Sequence, residues 1–283
     1  MPRYKLLVGA TAFSLMLSGC GESAMPAPDA SVPAFEQVAE DAAPGKARLA
    51  EAIAPFFEDP ALSETRAVLV MHRGRIVAER YAPGYGPDSK LISWSMAKSV
   101  TGTLIGMMIA DGLLVLDDPA PVPEWSSPGD PRAKITLRQL LHMSSGLDHT
   151  EMAEGDKAIY EADTTRLLFL DGRENVARYA EKRNLEAEPG TKYEYSTATS
   201  HILVDIMTRT LTDSSDPLVR RNAMLEYARG RLFEPLGMTS AVPEFDRNGT
   251  MLGGSIGPSS GSSCETMVRS GRHSSCQPAG PVS

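Results

Sequence analysis

Cysteine is almost missing from this 283-residue sequence, and Cys20, Cys264 and Cys276 leave the whole middle of the chain without a thiol. That spacing excludes a thiolate zinc module and a disulfide scaffold. Basic excess is missing as well. With 36 Asp+Glu against 28 Lys+Arg the formal net charge is −8 and no basic tract interrupts it, so general affinity for nucleic acid phosphates has no electrostatic support. His142 and His149 are not set in an H-E-x-x-H sequence, which makes them capping or packing residues rather than metal ligands. Gly253-Gly254 lacks the Gly-Lys-Ser/Thr that would follow in a phosphate cradle and reads as a loop, as Asp117-Asp118 reads as a turn. No internal repeat is present. What remains, 42% hydrophobic and 23% charged residues, is ordinary for a folded globular chain and excludes disorder of the whole.

The two ends differ from the body. Arg3 and Lys5, a short apolar stretch and then small residues make residues 1–19 a secretory signal, too short to span a bilayer in the mature protein. Leu17-Ser18-Gly19-Cys20 resembles the lipobox of bacterial lipoproteins. That resemblance implies cleavage before Cys20, a diacylglycerol on its thiol, and a membrane anchor in the bacterial cell envelope. Gly21 in place of Asp implies the periplasmic face of the outer membrane. Residues 20–44, rich in Ala, Pro, Ser and Glu, read as a flexible tether. In residues 256–283, 15 of 28 positions are Ser, Gly or Pro and none is Leu, Phe, Tyr, Trp, Lys or Asp, so this stretch reads as a disordered tail.

Between the ends the periodicity predicts a helix over Lys46 to Phe57, then a hairpin of Arg66 to His72 and Arg75 to Tyr81 joined by Arg73-Gly74. The first hairpin strand is apolar on both faces and is expected to be covered on both sides. A strongly apolar, central helix follows over Ser95 to Ala110, ended near Gly112. Further helices are expected over Ile135 to Met143 with Thr136 as cap, Ser196 to Leu211, and Pro217 to Tyr227 with Asp216 as cap. Glu151 to Arg183 is polar and helical in places, more like a lid or insertion than core.

Ser95-Met96-Ala97-Lys98 carries the chemistry. Three residues apart on a helix, the hydroxyl and the amine share a face and can touch, so the amine can accept or relay the serine proton. A serine in the first turn also feels the favourable field of a helix N-terminus when negative charge develops. With 27 Ser and 8 Lys in the chain, roughly 0.8 such pairs arise by chance, so context decides. Here the context is a hairpin, Trp94 just before the serine, and an apolar helix just after it. About a hundred residues on, Tyr195 stands at the mouth of another helix, where a phenol could exchange protons with the serine and the leaving group.

Ile92 to Ser99, Ile135 to Leu147, Pro189 to Ser196 and Arg231 to Met238 resemble the β-lactamase-related serine hydrolases, in particular the class C-like branch with esterases and 6-aminohexanoate-dimer hydrolases. The resemblance covers about Phe56 to Ser255. It implies an α/β (α+β) fold of the β-lactamase/transpeptidase type, an antiparallel sheet flanked by helices plus a helical domain, over residues 45–255. It further implies Ser95 as nucleophile, Lys98 as its proton partner and Tyr195 as the tyrosine of the Y-x-N motif. Thr197 stands where the family commonly has Asn. No cofactor and no metal are implied, and the partners are a small ester or amide and, through Cys20, the membrane.

The family's third motif, a K-T-G or H-x-G strand that supplies an oxyanion-hole N–H, has no counterpart after Asp246 to Ser255. Loss of one such donor typically lowers rates on the order of 10² to 10³. Codons for Ile256 to Val268 read one base earlier permit a helix like the family's next one, which would make the tail an out-of-frame sequence in place of the C-terminal strands. Two functions are therefore open: hydrolysis through an acyl-enzyme on Ser95, or a non-catalytic, truncated relative that keeps the first two motifs.

Overall fold

The computed structural model describes residues 36–42, 45–87, 89, 91–153, 158–238 and 241–253. The expected signal, Cys20, most of the tether, and the tail with Cys264 and Cys276 lie outside the described residues. Three short strands, β1 (Glu36–Val38), β2 (Ala67–His72) and β3 (Arg75–Tyr81), form an antiparallel sheet in the order β1-β3-β2. The turn between β2 and β3 holds Arg73 at φ 50° and Gly74 at φ 74°. Two consecutive left-handed residues make the turn whose twist matches that of the flanking strands. The register passes from Val70↔Ala78 to Met71↔Ile76, leaving Val77 as the extra residue of a bulge.

Two sequence expectations change here. The tether reading of residues 20–44 overlooks β1, whose Glu36 and Val38 pair with Arg80 and Ala78. Three residues are too few to show an alternation, and their partner is far along the chain. Coverage of β2 on both faces is also incorrect. Among the described residues this strand lies at the sheet edge, with Ala67 to Val70 half-buried and Met71 and His72 exposed. The central strand is β3, which buries Val77, Ala78, Glu79 and Tyr81.

Among the described residues the other long regular elements are helices. The expected helix over 46–57 is two helices, α1 (Lys46–Ile53) and α2 (Pro55–Glu58), because Pro55 has no N–H for the helical ladder. Next comes α3 (Ala97–Ala110), which buries Val100, Leu104, Ile105 and Met108. In α4 (Leu137–Leu141) the Thr136 hydroxyl accepts from the Gln139 N–H at 3.2 Å and the Gln139 side chain accepts from the Thr136 N–H at 2.9 Å, a reciprocal cap. The segment read as a lid holds α5 (Asp163–Phe169) and α6 (Val176–Glu181). It is partly core rather than lid, since Leu167, Val176 and Ala180 join the main apolar cluster.

The most enclosed element is α7 (Thr197–Leu211), buried at every position from Thr197 to Thr208. Ser196 caps it, accepting from the Thr199 N–H at 3.1 Å. In α8 (Pro217–Ala228) the Asp216 side chain accepts from the Leu218 N–H at 2.8 Å. One apolar cluster unites Leu104, Ile105 and Met108 of α3 with Leu140 of α4, Ile202, Ile206 and Met207 of α7, and Met224 of α8. That packing fixes the N-terminal ends of α3 and α7 relative to each other, and the candidate site lies at those two ends. Gly253 is wedged beneath them. A Cβ there would lie 2.1 Å from Val204 and 2.6 Å from the Thr101 hydroxyl, which itself donates to the Gly253 carbonyl at 2.8 Å.

Candidate active site

Ser95 sits just outside α3. Trp94 before it has φ 43°, a left-handed conformation that costs a non-glycine residue roughly 1 kcal/mol. Bonds from the Ala97 N–H to Trp94 O (3.0 Å) and from the Lys98 N–H to Ser95 O (3.1 Å) then wind the chain into the helix. The helix thus begins at Ala97, two residues later than the sequence predicts, because i to i+3 turns precede it. Ser95 is exposed. Among the described residues its backbone N–H makes no hydrogen bond.

The three residues singled out from the sequence come together. Lys98 Nζ lies 3.0 Å from Ser95 Oγ. It is 4.8 Å from the centroid of the Tyr195 ring, close enough for the ring face to attract a cation. Tyr195 precedes the Ser196 cap, so the buried body of α7 holds the phenol at the mouth of the site. Cys20 lies outside the described residues.

Two more side chains complete the arrangement. Thr197, the first residue of α7, accepts from Lys98 Nζ at 3.0 Å. Its hydroxyl donates to Glu151 Oε1 at 2.6 Å and its backbone N–H to Glu151 Oε2 at 2.7 Å. His149 Nε2 lies 2.8 Å from the same Oε2 and 3.2 Å from the Thr164 hydroxyl. Burial works against ionisation of Glu151, but the bonds from His149 and from the Thr197 hydroxyl and N–H outweigh it and hold the carboxyl at about 2. Behind Thr197, the His201 Nδ1–H donates to the Thr197 carbonyl at 2.8 Å. Burial pushes His201 down to about 4 against the pull of that carbonyl, and the Lys98 charge adds to the fall, so the imidazole is neutral.

Glu151 and His201 escape sequence reasoning altogether, and His149 enters it only as a rejected metal ligand. A carboxylate 46 residues before its partner in the chain carries no local pattern. Among the described residues no three His, Cys, Asp or Glu side chains are grouped to hold a metal ion.

A small antiparallel sheet, a helical layer, and a serine and lysine at the start of an enclosed helix define a hydrolase architecture of the penicillin-recognising type. The Beta-lactamase family model matches residues 61–247, and the chain belongs to that family. A curated relative, the 6-aminohexanoate-dimer hydrolase of Paenarthrobacter ureafaciens, is 33% identical over 90 residues, which are 31% of this chain and 22% of the relative. Among solved structures, a Bacillus anthracis protein assigned to the 6-aminohexanoate-dimer hydrolases matches with a TM-score of 0.53 and 21% identity, over 75% of this chain and 52% of that one. A family VIII carboxylesterase matches with a TM-score of 0.52 and 19% identity, over 74% of this chain and 55% of that one. The match thus spans about half the length of the solved relatives and less than a quarter of the curated one.

Proposed function

We propose that this chain hydrolyses a small ester or amide through an acyl-enzyme on Ser95. The observation that carries the reading is the 3.0 Å approach of Lys98 Nζ to Ser95 Oγ, with the Tyr195 ring 4.8 Å from the same nitrogen. In its neutral form the amine takes the Ser95 proton as Oγ bonds to the substrate carbonyl carbon. The resulting oxyanion is stabilised by the Ser95 N–H, which has no hydrogen-bond partner among the described residues. As the tetrahedral intermediate collapses, the bond to the leaving alcohol or amine breaks and that group receives a proton by way of Tyr195. Water then attacks the acyl carbon and gives its proton to the same base, which returns it to Ser95 Oγ as the bond from Oγ to the acyl carbon breaks and the acid product departs. The names of the relatives, a dimer hydrolase and a carboxylesterase, fit this substrate class.

Cys20 carries a diacylglycerol in this reading and ties the protein to the periplasmic face of the outer membrane. Labelling with a radioactive fatty acid, lost in a C20A variant, is the expected sign.

The decisive experiment uses a fluorophosphonate label and a short-chain nitrophenyl ester on the full chain and on S95A. Covalent labelling and turnover that vanish in S95A are expected, with a loss on the order of 10² or more for K98A. Equal labelling of S95A, or none in a folded sample of the natural chain, refutes the proposal.

A further inference from the structure

We infer that Glu151 is the positioning residue of this site: it turns the Thr197 hydroxyl so that an oxygen lone pair, not a proton, faces Lys98. The inference rests on the reading of Ser95 and Lys98 as nucleophile and base. It explains how a threonine serves at the position where the amide of an asparagine is usual.

A hydroxyl has one proton and two acceptor lone pairs. The Thr197 proton is committed to Glu151 Oε1 at 2.6 Å, so toward Lys98, 3.0 Å away, the same oxygen can only accept. Lys98 must therefore direct an N–H at Thr197. When the amine is neutral, its lone pair is left for the Ser95 proton at 3.0 Å. Were the Thr197 hydroxyl free to rotate, it could donate to the amine and occupy the lone pair that the base needs. Glu151 prevents this because both its oxygens are engaged, Oε1 on the hydroxyl and Oε2 on the Thr197 N–H and on His149. The anchor is itself held rigidly, since His149 is buried and in contact with Thr164.

Glu151 does not act as the base. Its carboxyl, held at about 2, is too weak an acceptor to take a proton from an ammonium, so it works as a fixed charge that sets the polarity of the chain Glu151–Thr197–Lys98–Ser95. A glutamine in its place has one acceptor oxygen where Thr197 offers two donors, and its amide N–H₂ faces either the hydroxyl or the N–H. The polarity would then be lost with little change in volume.

The test compares the natural chain with E151Q, T197V, T197S and the double variant E151Q/T197V by two readouts. The first is the rate of Ser95 labelling by a fluorophosphonate. E151Q and T197V should each slow it by about 10- to 100-fold, the range expected when a reacting group loses its orientation. T197S, which keeps the hydroxyl, should restore it to within a few-fold, and the double variant should be no slower than the slower single one. The second readout is acetylation of Lys98 by an N-hydroxysuccinimide ester, followed by mass spectrometry. Lys98 should react several-fold more slowly in E151Q, where the freed hydroxyl donates to the amine lone pair, than in the natural chain or in T197V, which has no hydroxyl to donate. Losses that multiply in the double variant, or Lys98 acetylation in E151Q as fast as or faster than in the natural chain, overturn the inference. If the natural chain shows no Ser95-dependent labelling, the proposed hydrolysis fails, and the Lys98 acetylation pattern still decides whether Glu151 controls the amine.

Discussion

Replacing Glu181 by glutamine should stabilise this protein, and by an amount that grows with pH. Glu181 ends α6 with 1% of its surface exposed, and among the described residues neither carboxyl oxygen makes a well-formed hydrogen bond, the Glu124 carboxyl being its one polar side-chain neighbour at such range. Its backbone carbonyl, by contrast, is well used, accepting from the Trp125 indole at 2.9 Å and from Arg132 at 3.0 Å. Burial, reinforced by the Asp205 and Glu124 carboxylates and opposed by Arg209, pushes the Glu181 carboxyl up to about 9. In the unfolded chain the same group loses its proton near 4.5. Above that pH the unfolded state is charged while the fold still holds the proton, so stability falls as pH rises, by about 1.4 kcal/mol per pH unit, until pH approaches 9. At pH 7 this amounts to about 3 kcal/mol against the fold, and at pH 5 to less than about 1 kcal/mol. The glutamine side chain has nearly the same volume and no charge to lose. The assay is urea unfolding of the full chain and of E181Q between pH 5 and 8, followed by circular dichroism with unchanged m-values. Asp246, pushed up to about 6 chiefly by burial, titrates in both proteins and cancels in the comparison. Parallel stability curves for the two proteins across that range would refute the argument.

Glu151 has the opposite sign. Held at about 2 against 4.5 when unfolded, its carboxylate contributes stability that is complete above pH 4.5 and is lost as pH falls through 2, about 3 kcal/mol in all. Thermal midpoints should therefore drop more steeply from pH 5 to 2 in the natural chain than in E151Q. G253A should cost about 1–3 kcal/mol, because its Cβ meets the branched side chains of Val204 and Thr101 in a packed helical interface; urea unfolding measures it. G146A should cost at least as much, since φ is +75° there and the new Cβ would lie 2.3 Å from the Ala187 carbonyl oxygen. Unfolding midpoints within error of the natural chain would contradict either expectation.

What could be read in the sequence is what a few neighbouring residues decide. The caps at Thr136 and Asp216 act within three residues of themselves, and both side chains bond as their types suggest. Arg73-Gly74 makes its turn, and Ser95 and Lys98 meet because one helical turn separates them. The misses are of another kind. β1 depends on pairing with β3 some forty residues away, and the exposure of β2 depends on which side of β3 it takes. An apolar strand reads the same at a sheet edge as at its centre. The division of the first helix was legible in principle, because Pro55 lacks the N–H that the ladder requires.

The site divides along the same line. Ser95 and Lys98 belong to one short motif, so a pattern can find them. The group that sets the direction of the hydrogen bonds between them comes from a loop 46 residues before Thr197, and only the packing of the Glu151 loop against the start of α7 brings it there. Thr197 is visible in the sequence as a departure from the family pattern, and taken alone it removes a side-chain amide. In the fold the same residue gains a carboxylate that fixes its one proton, which gives the hydroxyl a defined acceptor face toward Lys98. A substitution that reads as a loss along the chain is thus paired with a compensating contact across it, and the two residues should be judged together in any variant of this site.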